Sequence, residues 1–470
     1  MTIYRLWTWG ILIYAMAQQV IFLILFVAAY SQFRELRPFA RYARTLTAST
    51  KALYVSILVP AHNEAESIVA SVRGLLLNHY AHCEVVVIND GSDDATLDNL
   101  TRAFQLEPRS VPSSLTAPLT TAPVRAVYRS SVEPRLLVVD KVNGGKADAL
   151  NAGLNWARYP LFCAMDADSI LDPDALPQLV WPFLDDPERV VAAGGTIRIA
   201  NGGRVSGGRI VDVGMPRSWI ARVQIVEYLR AFLLARLGLS RLGMLLIISG
   251  AFGMFRRDLV MEVGGYARDS VGEDMELVVR IHRYCRDRGQ PYRLVFMPDP
   301  VCWTEVPETW AVLGRQRDRW HRGLVDTLIR HRGMALRSRY GRVAWLAWPY
   351  YALFEGLAPM IEVLGYCSLP VLAGYGLIRW EFCGLFLIAA VELGVATSTL
   401  AVLIEEMTYY QYPRPVDTLR LVAAAIIENF GYRQILLYWK IRAIWGLVRG
   451  KNRATTWGTM TRQGFHDTSG

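Results

Sequence analysis

The chain has 470 residues, 51 Lys and Arg against 42 Asp and Glu, a formal charge of +9, and 52% hydrophobic residues including 14 Trp. This is too apolar for an ordinary soluble protein and long enough for one large domain with additional elements. The six cysteines stand singly with no C-x-x-C pair, which argues against a zinc ribbon or a disulfide framework and fits a reducing compartment.

Leu6 to Tyr30 carries only Gln18 and Gln19 as strongly polar residues, and a bilayer crossing needs roughly 20 residues. Arg34, Arg37, Arg41 and Arg44 follow, so the positive-inside rule puts that flank in the cytoplasm. A cleaved leader is the alternative, but the basic run reads as a stop-transfer flank.

From residue 50 the composition becomes that of a soluble domain, out to about 335. "YVSILVPAHNEAESIVASVRGLLLN" predicts a strand ending at Pro60, then a helix with Ile68, Val72 and Leu75 on one face. "CEVVVINDGSDDAT" repeats the plan with an acidic turn, and "VRAVYR", "RLLVVD" and "LFCAMDAD" add three strands. Strands alternating with helices predict a mostly parallel sheet, with functional loops at the C-terminal ends of its strands. "SVPSSLTAPLTTAP", 110–123, reads as a surface insertion. For Pro216–Gly238, which lacks one clean apolar stripe, buried core, interfacial helix and re-entrant piece all fit, with interfacial preferred.

A second apolar zone follows. Val343–Ile378 and Glu381–Ile404 are long apolar stretches holding Glu355, Glu362 and Glu392, and acids in such places face a protein interior or a polar path. Thr418–Val448, broken by Glu428, Asn429 and Arg433, is open between spanning, re-entering and lying in the interface. Nine arginines against two aspartates from Arg315 to Arg342 suit anionic headgroups beside apolar spans better than nucleic acid. The expected division is 1–49, a membrane helix and basic linker; 50–335, the soluble domain; 336–450, membrane or interfacial helices; and 451–470, a basic tail.

Five polar clusters carry candidate chemistry. Asp90 in "INDGSDD" suits a nucleotide base or ribose, although an N-cap aspartate explains it equally well taken alone. "DKVNGGKADAL" is not a Walker site, because Asp140 and Ala147 stand where Gly and Ser/Thr are needed; Lys146 still suits a phosphate. In "FCAMDADSILDPDAL", 162–176, an EF-hand fails at Leu171 and Pro177. Asp172 and Asp174 read as a helix start, with Asp172 as N-cap and Pro173 at N1. Asp166 and Asp168, two apart in extended backbone, address one site and suit a divalent ion with a diphosphate. Glu273 and Asp274 open the helix "MELVVRIHR"; acids there also simply favour the helix dipole, and the functional alternative is a base on a sugar hydroxyl. Gln316, Arg319 and Trp320 in "RQRDRWHRG" offer donors for a departing diphosphate and an indole for a sugar ring, against a plain solvated helix.

In this order the pieces resemble the membrane-integrated, processive family 2 glycosyltransferases, the group of cellulose, hyaluronan, chitin-oligosaccharide and poly-N-acetylglucosamine synthases. The match covers about 54–325: Asp90; Asp166–Asp168; Glu273-Asp274, with Gly272 in place of the usual Thr; Gln316-Arg319-Trp320; "PAHNE", 60–64, with Glu64; and "NGGKADALN", 143–151. The resemblance implies a GT-A type α/β domain on the cytoplasmic face of the cell (inner or plasma) membrane, flanked by several transmembrane helices. The implied reaction is inverting transfer from a UDP-sugar to a polysaccharide, or alternatively of one sugar to a lipid acceptor; a non-catalytic scaffold is disfavoured by the intact acids. It further implies that Glu64, Asp90, Lys146, Asp166, Gln316 and Arg319 serve the nucleotide-sugar and that Asp168 binds Mg2+ or Mn2+. Asp274, with Glu273, serves as base, and Trp320 meets the acceptor. The bilayer is a partner, an accessory export or regulatory subunit is compatible, and nucleic acid is not expected.

Overall fold

The computed structural model describes residues 3–36, 52–109, 118–409, 411–412 and 414–450. The basic linker, most of the Ser/Thr/Pro insertion and the tail lie outside the described residues. The chain forms two compact units. One is built from the described parts of Phe33–Pro216 and Leu245–Pro307, the other from those of Met1–Gln32, Arg217–Met244 and Glu308–Asn452.

The first unit holds a ten-stranded sheet. Its centre is parallel: β1 (Val55–Ala61) lies between β2 (Cys83–Asp90) and β6 (Leu161–Met165), and β2 pairs in turn with β5 (Leu136–Lys141). These four strands are buried along their whole length, which is why they read as continuous apolar runs rather than alternating ones. Antiparallel strands extend the sheet on both sides. β4 (Val124–Ser130) and β3 (Leu106–Arg109) follow β5, while β11 (Phe252–Arg256) joins β6 to β8 (Val190–Ile199). β12 (Arg293–Thr304) runs parallel to β8 and antiparallel to β7 (Ser169–Leu171) at the edge. A small hairpin, β9 (Arg204–Ser206) and β10 (Arg209–Asp212), stands apart.

The second unit begins with helix α1 (Ile3–Leu36), long and apolar enough to cross a membrane. In the sheet unit, α2 (Ile68–Leu76) buries Ile68, Val72 and Leu75 as its spacing predicts, and α3 (Thr96–Phe104) follows β2. α4 (Lys146–Trp156) is buried on every side from Ala147 to Leu154 and contacts β1 and β2. It approaches closely because its side chains are small: a Cβ on Gly153 would stand 2.8 Å from Ile88 Cδ1. α5 (Ala175–Asp185) follows the acidic turn.

α6 (Trp219–Leu229) runs on through a π-helical stretch, Arg230–Arg236, into Leu237–Arg241. It is largely buried and packs on two apolar helices of its own unit, so the preferred interfacial reading gives way to buried core. Burial on several sides also explains the missing single stripe. α7 (Arg257–Glu262) and α8 (Glu273–Asp287) return to the sheet unit, and α9 (Trp310–Arg330) opens the C-terminal region.

Val343–Gly356 and α10 (Ala358–Gly374) form a pair bent by 45° that qualifies as one broken span, and α11 (Trp380–Thr408) qualifies as a span by itself. Thr418–Val448 is divided between α12 (Pro415–Ile427) and α13 (Tyr432–Val448), parted at Gly431, whose φ is +93°. The polar residues that interrupted this segment have structural duties. Glu428 is fully buried and accepts from Arg230 and Ser398, while Asn429 Nδ2 donates to the Ala425 carbonyl at 2.8 Å.

Candidate active site

The turns after β1 and β2 interlock. Asn63 Oδ1 accepts from the Asp93 amide at 2.9 Å, and the Asn63 amide donates to Ser92 Oγ at 3.0 Å. The amide of Glu64 donates to Thr96 Oγ1, and its buried carboxylate accepts from Ser67 Oγ, both at 2.9 Å. Asp90 ends β2 fully buried. Lys141 Nζ and the amides of Gly144 (3.1 Å) and Gly145 (2.8 Å) donate to its carboxylate. Asp90 thus shapes the Gly-Gly-Lys turn, where Gly145 at φ +88° caps α4 in a conformation that a side chain would strain.

That turn delivers Lys146 to the first position of α4, where it is ion-paired with Asp166 just beyond β6. The expected extended Asp-x-Asp is instead a tight turn: the Ser169 amide donates to the Asp166 carbonyl at 3.1 Å. The two carboxylates nevertheless act on one another. Burial, then the neighbouring Asp166, push the Asp168 carboxyl up to about 7, against the pull of Lys146. Residue Asp168 is only 6% exposed, whereas the Asp166 side chain is 31% exposed.

Glu273 and Asp274 form the first turn of α8. Asp274 Oδ2 accepts from the Gly250 amide at 3.0 Å, and Oδ1 from the Met275 amide at 2.8 Å. A Cβ placed on Gly250 would stand 3.3 Å from Lys146 Nζ and 3.5 Å from Asp274 Oδ2, so lysine and acid reach the same glycine. Burial alone would lower the Lys146 pKa. Asp166, Glu273 and Asp274 outweigh it and hold the ammonium above its ordinary value, charged at every working pH. Asp90, Lys146, Asp166, Asp168, Glu273 and Asp274 therefore belong to one neighbourhood at the loop side of the parallel strands.

Among the described residues, no three His, Cys, Asp or Glu side chains are arranged to hold a metal ion between them. The donor set is instead the Asp166–Asp168 pair, with one buried carboxylate whose charge is disfavoured by burial and by its neighbour. A hard divalent cation fits this: it would relieve that repulsion and complete its shell with water and phosphate oxygens.

Gln316, Arg319 and Trp320 lie on α9, in the other unit. Their spacing sets them on one helical face. Gln316 Oε1 is buried without a hydrogen-bond partner among the described residues, whereas Arg319 and Trp320 are exposed. Within the same unit, the intervening Arg317 ties α9 down through Glu227, and Asp318 does so through Arg442 on α13. Sequence reasoning passed over Lys141, Asp148, Asn151 and Arg268, which hold the site's loops from behind. The short spacing of Asp148 and Asn151 after Lys146 was the available signal.

The model described as "Glycosyl transferase family group 2" matches residues 161–396, just over half of the chain, and that of "Glycosyl transferase family 2" matches 56–112. Poly-beta-1,6-N-acetyl-D-glucosamine synthase of Staphylococcus epidermidis is 25% identical over 333 residues, 69% of each chain. The Staphylococcus aureus (strain COL) protein of that name is 28% identical over 277 residues, 59% of this chain and 56% of its own. A mannosyltransferase from Pyrobaculum calidifontis, solved with GDP-Man and Mn2+, superposes with a TM-score of 0.51 at 19% identity, covering 92% of this chain and 99% of its own, a likeness of fold. The chain belongs to glycosyl transferase family group 2, and is a glycosyltransferase with a GT-A type catalytic fold and apolar helices long enough to cross a membrane.

Proposed function

We propose that the chain moves N-acetylglucosamine from UDP-N-acetylglucosamine to a hydroxyl of a growing polysaccharide, inverting the anomeric carbon, on the cytoplasmic side of the cell membrane. The observation that carries the chemistry is the convergence of Lys146 and Asp274 on Gly250, next to Asp166 and Asp168. The choice of sugar and of a polymer product rests on the two staphylococcal synthases.

A sugar hydroxyl is a poor nucleophile until a carboxylate within hydrogen-bond reach takes its proton. Asp274 fills that role: two backbone amides orient it, and Lys146 supplies positive charge close by. Glu273, on the same helix turn, adds to the negative field that keeps Lys146 charged. Lys146 meets the donor phosphates and Asp166 the UDP moiety, while the turn held by Asp90 offers its edge to the uridine. Glu64 supports that turn through the loop after β1. Asp168 with Asp166 would hold Mg2+ or Mn2+, which supplies charge neutralisation on the leaving diphosphate when bound. On the family resemblance we assign Gln316 and Arg319 to the diphosphate and Trp320 to the acceptor sugar. Gln316 Oε1, without a hydrogen-bond partner among the described residues, and the exposed Trp320 suit such contacts.

The test is to incubate detergent-purified protein with a panel of UDP-sugars and Mg2+ or Mn2+, measuring UDP release and product mass. The proposal expects turnover with UDP-N-acetylglucosamine, a ladder of polymer products, and loss of both on chelation of the divalent ion. Preference for another donor would overturn the sugar assignment, and products ending after one added sugar would favour a lipid acceptor.

A further inference from the structure

Helix α4 grips two loops at once. Its first residue belongs to the donor turn, and two further polar side chains reach the loop that leads to Asp274. Asp148 is fully buried, with Oδ1 2.6 Å from Lys141 Nζ and Oδ2 2.8 Å from Arg268 Nε. The amide of Ala122 also donates to both oxygens, at 3.1 and 3.2 Å. Lys141 is shared with Asp90, so two carboxylates and two cations form a neutral chain from the donor turn to Arg268.

One helical turn further, Asn151 takes hold of the backbone of Tyr266 from both sides. Its Oδ1 accepts from the Tyr266 amide at 2.7 Å, and its Nδ2 donates to the Tyr266 carbonyl at 2.9 Å. The preceding Gly265 has φ +71°, and a Cβ there would stand 2.4 Å from Asn151 Oδ1, so the clasp also requires that glycine. Tyr266 and Arg268 thus fix the start of a loop that ends at Gly272, the cap of α8, next to the candidate base. α4 yields little, because it is buried from Ala147 to Leu154 and packs on β1 and β2.

We propose that Asp148 and Asn151 are positioning residues that set the base-bearing loop, 266–274, in register with the donor turn, 144–146. Neither touches the reacting atoms. Without them Asp274 and Lys146 would be carried by independent loops, and a shift of about 1 Å between such groups can cost on the order of a hundredfold in rate. The inference rests on the reading of Asp274 as base and Lys146 as donor contact.

The experiment uses the full chain in detergent, with UDP-N-acetylglucosamine turnover, UDP affinity by titration and unfolding midpoint measured for Asn151→Ala, Arg268→Gln and Arg268→Lys. Asn151→Ala and Arg268→Gln loosen the base loop and leave Lys141 paired with Asp90 and Asp148, so kcat should fall about tenfold while UDP affinity stays within about twofold of wild type. Arg268→Lys, which can still reach Asp148, should recover part of the rate. A purely structural role would lower the midpoint and leave kcat per folded molecule at the wild-type level, and that result would overturn the proposal. Should Asn151→Ala fail to fold, Arg268→Gln decides alone, since its side chain is 44% exposed. A wild type inactive with every donor would overturn the functional reading and this inference with it; an active wild type with unaffected variants would overturn this inference only.

Discussion

The amide of Gly250 donates to Asp274 Oδ2 at 3.0 Å, while the space above its Cα is bounded by Lys146 Nζ. A methyl group there would meet the end of a flexible side chain, not a backbone. Gly250→Ala should therefore fold with an unfolding midpoint near that of wild type, yet displace the ammonium. Turnover should drop roughly tenfold, and Gly250→Val should lose more. An alanine variant of full activity would separate Gly250 from the site.

Two aspartates next to the site are engaged by side chains outside it. Asp172 accepts from Trp303 Nε1 at 3.2 Å, and Asp174 from His79 Nδ1 at 2.8 Å. Asp172→Ala should cost about 1 kcal/mol of stability, and Asp174→Ala less, since its partner is more than half exposed. UDP release per folded molecule should stay unchanged in both. A loss of rate at unchanged unfolding midpoint would place either carboxylate in the site.

His282 gives the catalytic unit a pH-dependent stability. It is buried and neutral, with Nε2 donating to the Leu245 carbonyl at 2.8 Å and Nδ1 accepting from the Tyr292 hydroxyl at 2.7 Å. Burial, with a smaller push from Arg286 and against the Leu245 carbonyl, lowers its pKa to about 4 from the ordinary 6.5. Between those values the unfolded chain takes up a proton that the folded chain refuses. Stability from this group is thus present above about pH 6.5 and is lost as pH falls toward 4, by at most about 3 kcal/mol. His282→Gln should flatten that dependence. Unfolding midpoints of both proteins at pH 7, 6 and 5 check it: equal slopes would contradict the assignment.

Much of the catalytic fold was legible because it is written locally. The buried parallel strands are unbroken apolar runs, and the acids that end them mark the loop side of the sheet. What escaped were side chains whose partners lie far along the chain. Asp172 looked like an N-cap, but α5 begins only at Ala175, and the Asp172 carboxylate is taken by Trp303 on β12, an edge-strand pairing with no local signature. Asp90 could be located but not its buried partner Lys141, 51 residues on, which looks like an ordinary surface lysine in sequence. The extended geometry expected of Asp166 and Asp168 was replaced by a turn, because β6 ends at Met165 and the chain must reverse into β7. Likewise, Asn151 reads as one more polar helix residue until the Tyr266 backbone is set against it.

In the proposed reaction Asp274 takes the acceptor proton. Asp274→Asn keeps the side chain's size and leaves an oxygen for the Gly250 amide, so the fold and UDP affinity should survive. The rate of UDP release from UDP-N-acetylglucosamine with acceptor present, compared between wild type and Asp274→Asn, is the most direct measurement. A loss of about 10²- to 10⁴-fold at unchanged UDP affinity and unfolding midpoint is expected; turnover of Asp274→Asn within a few-fold of wild type would contradict that role for Asp274.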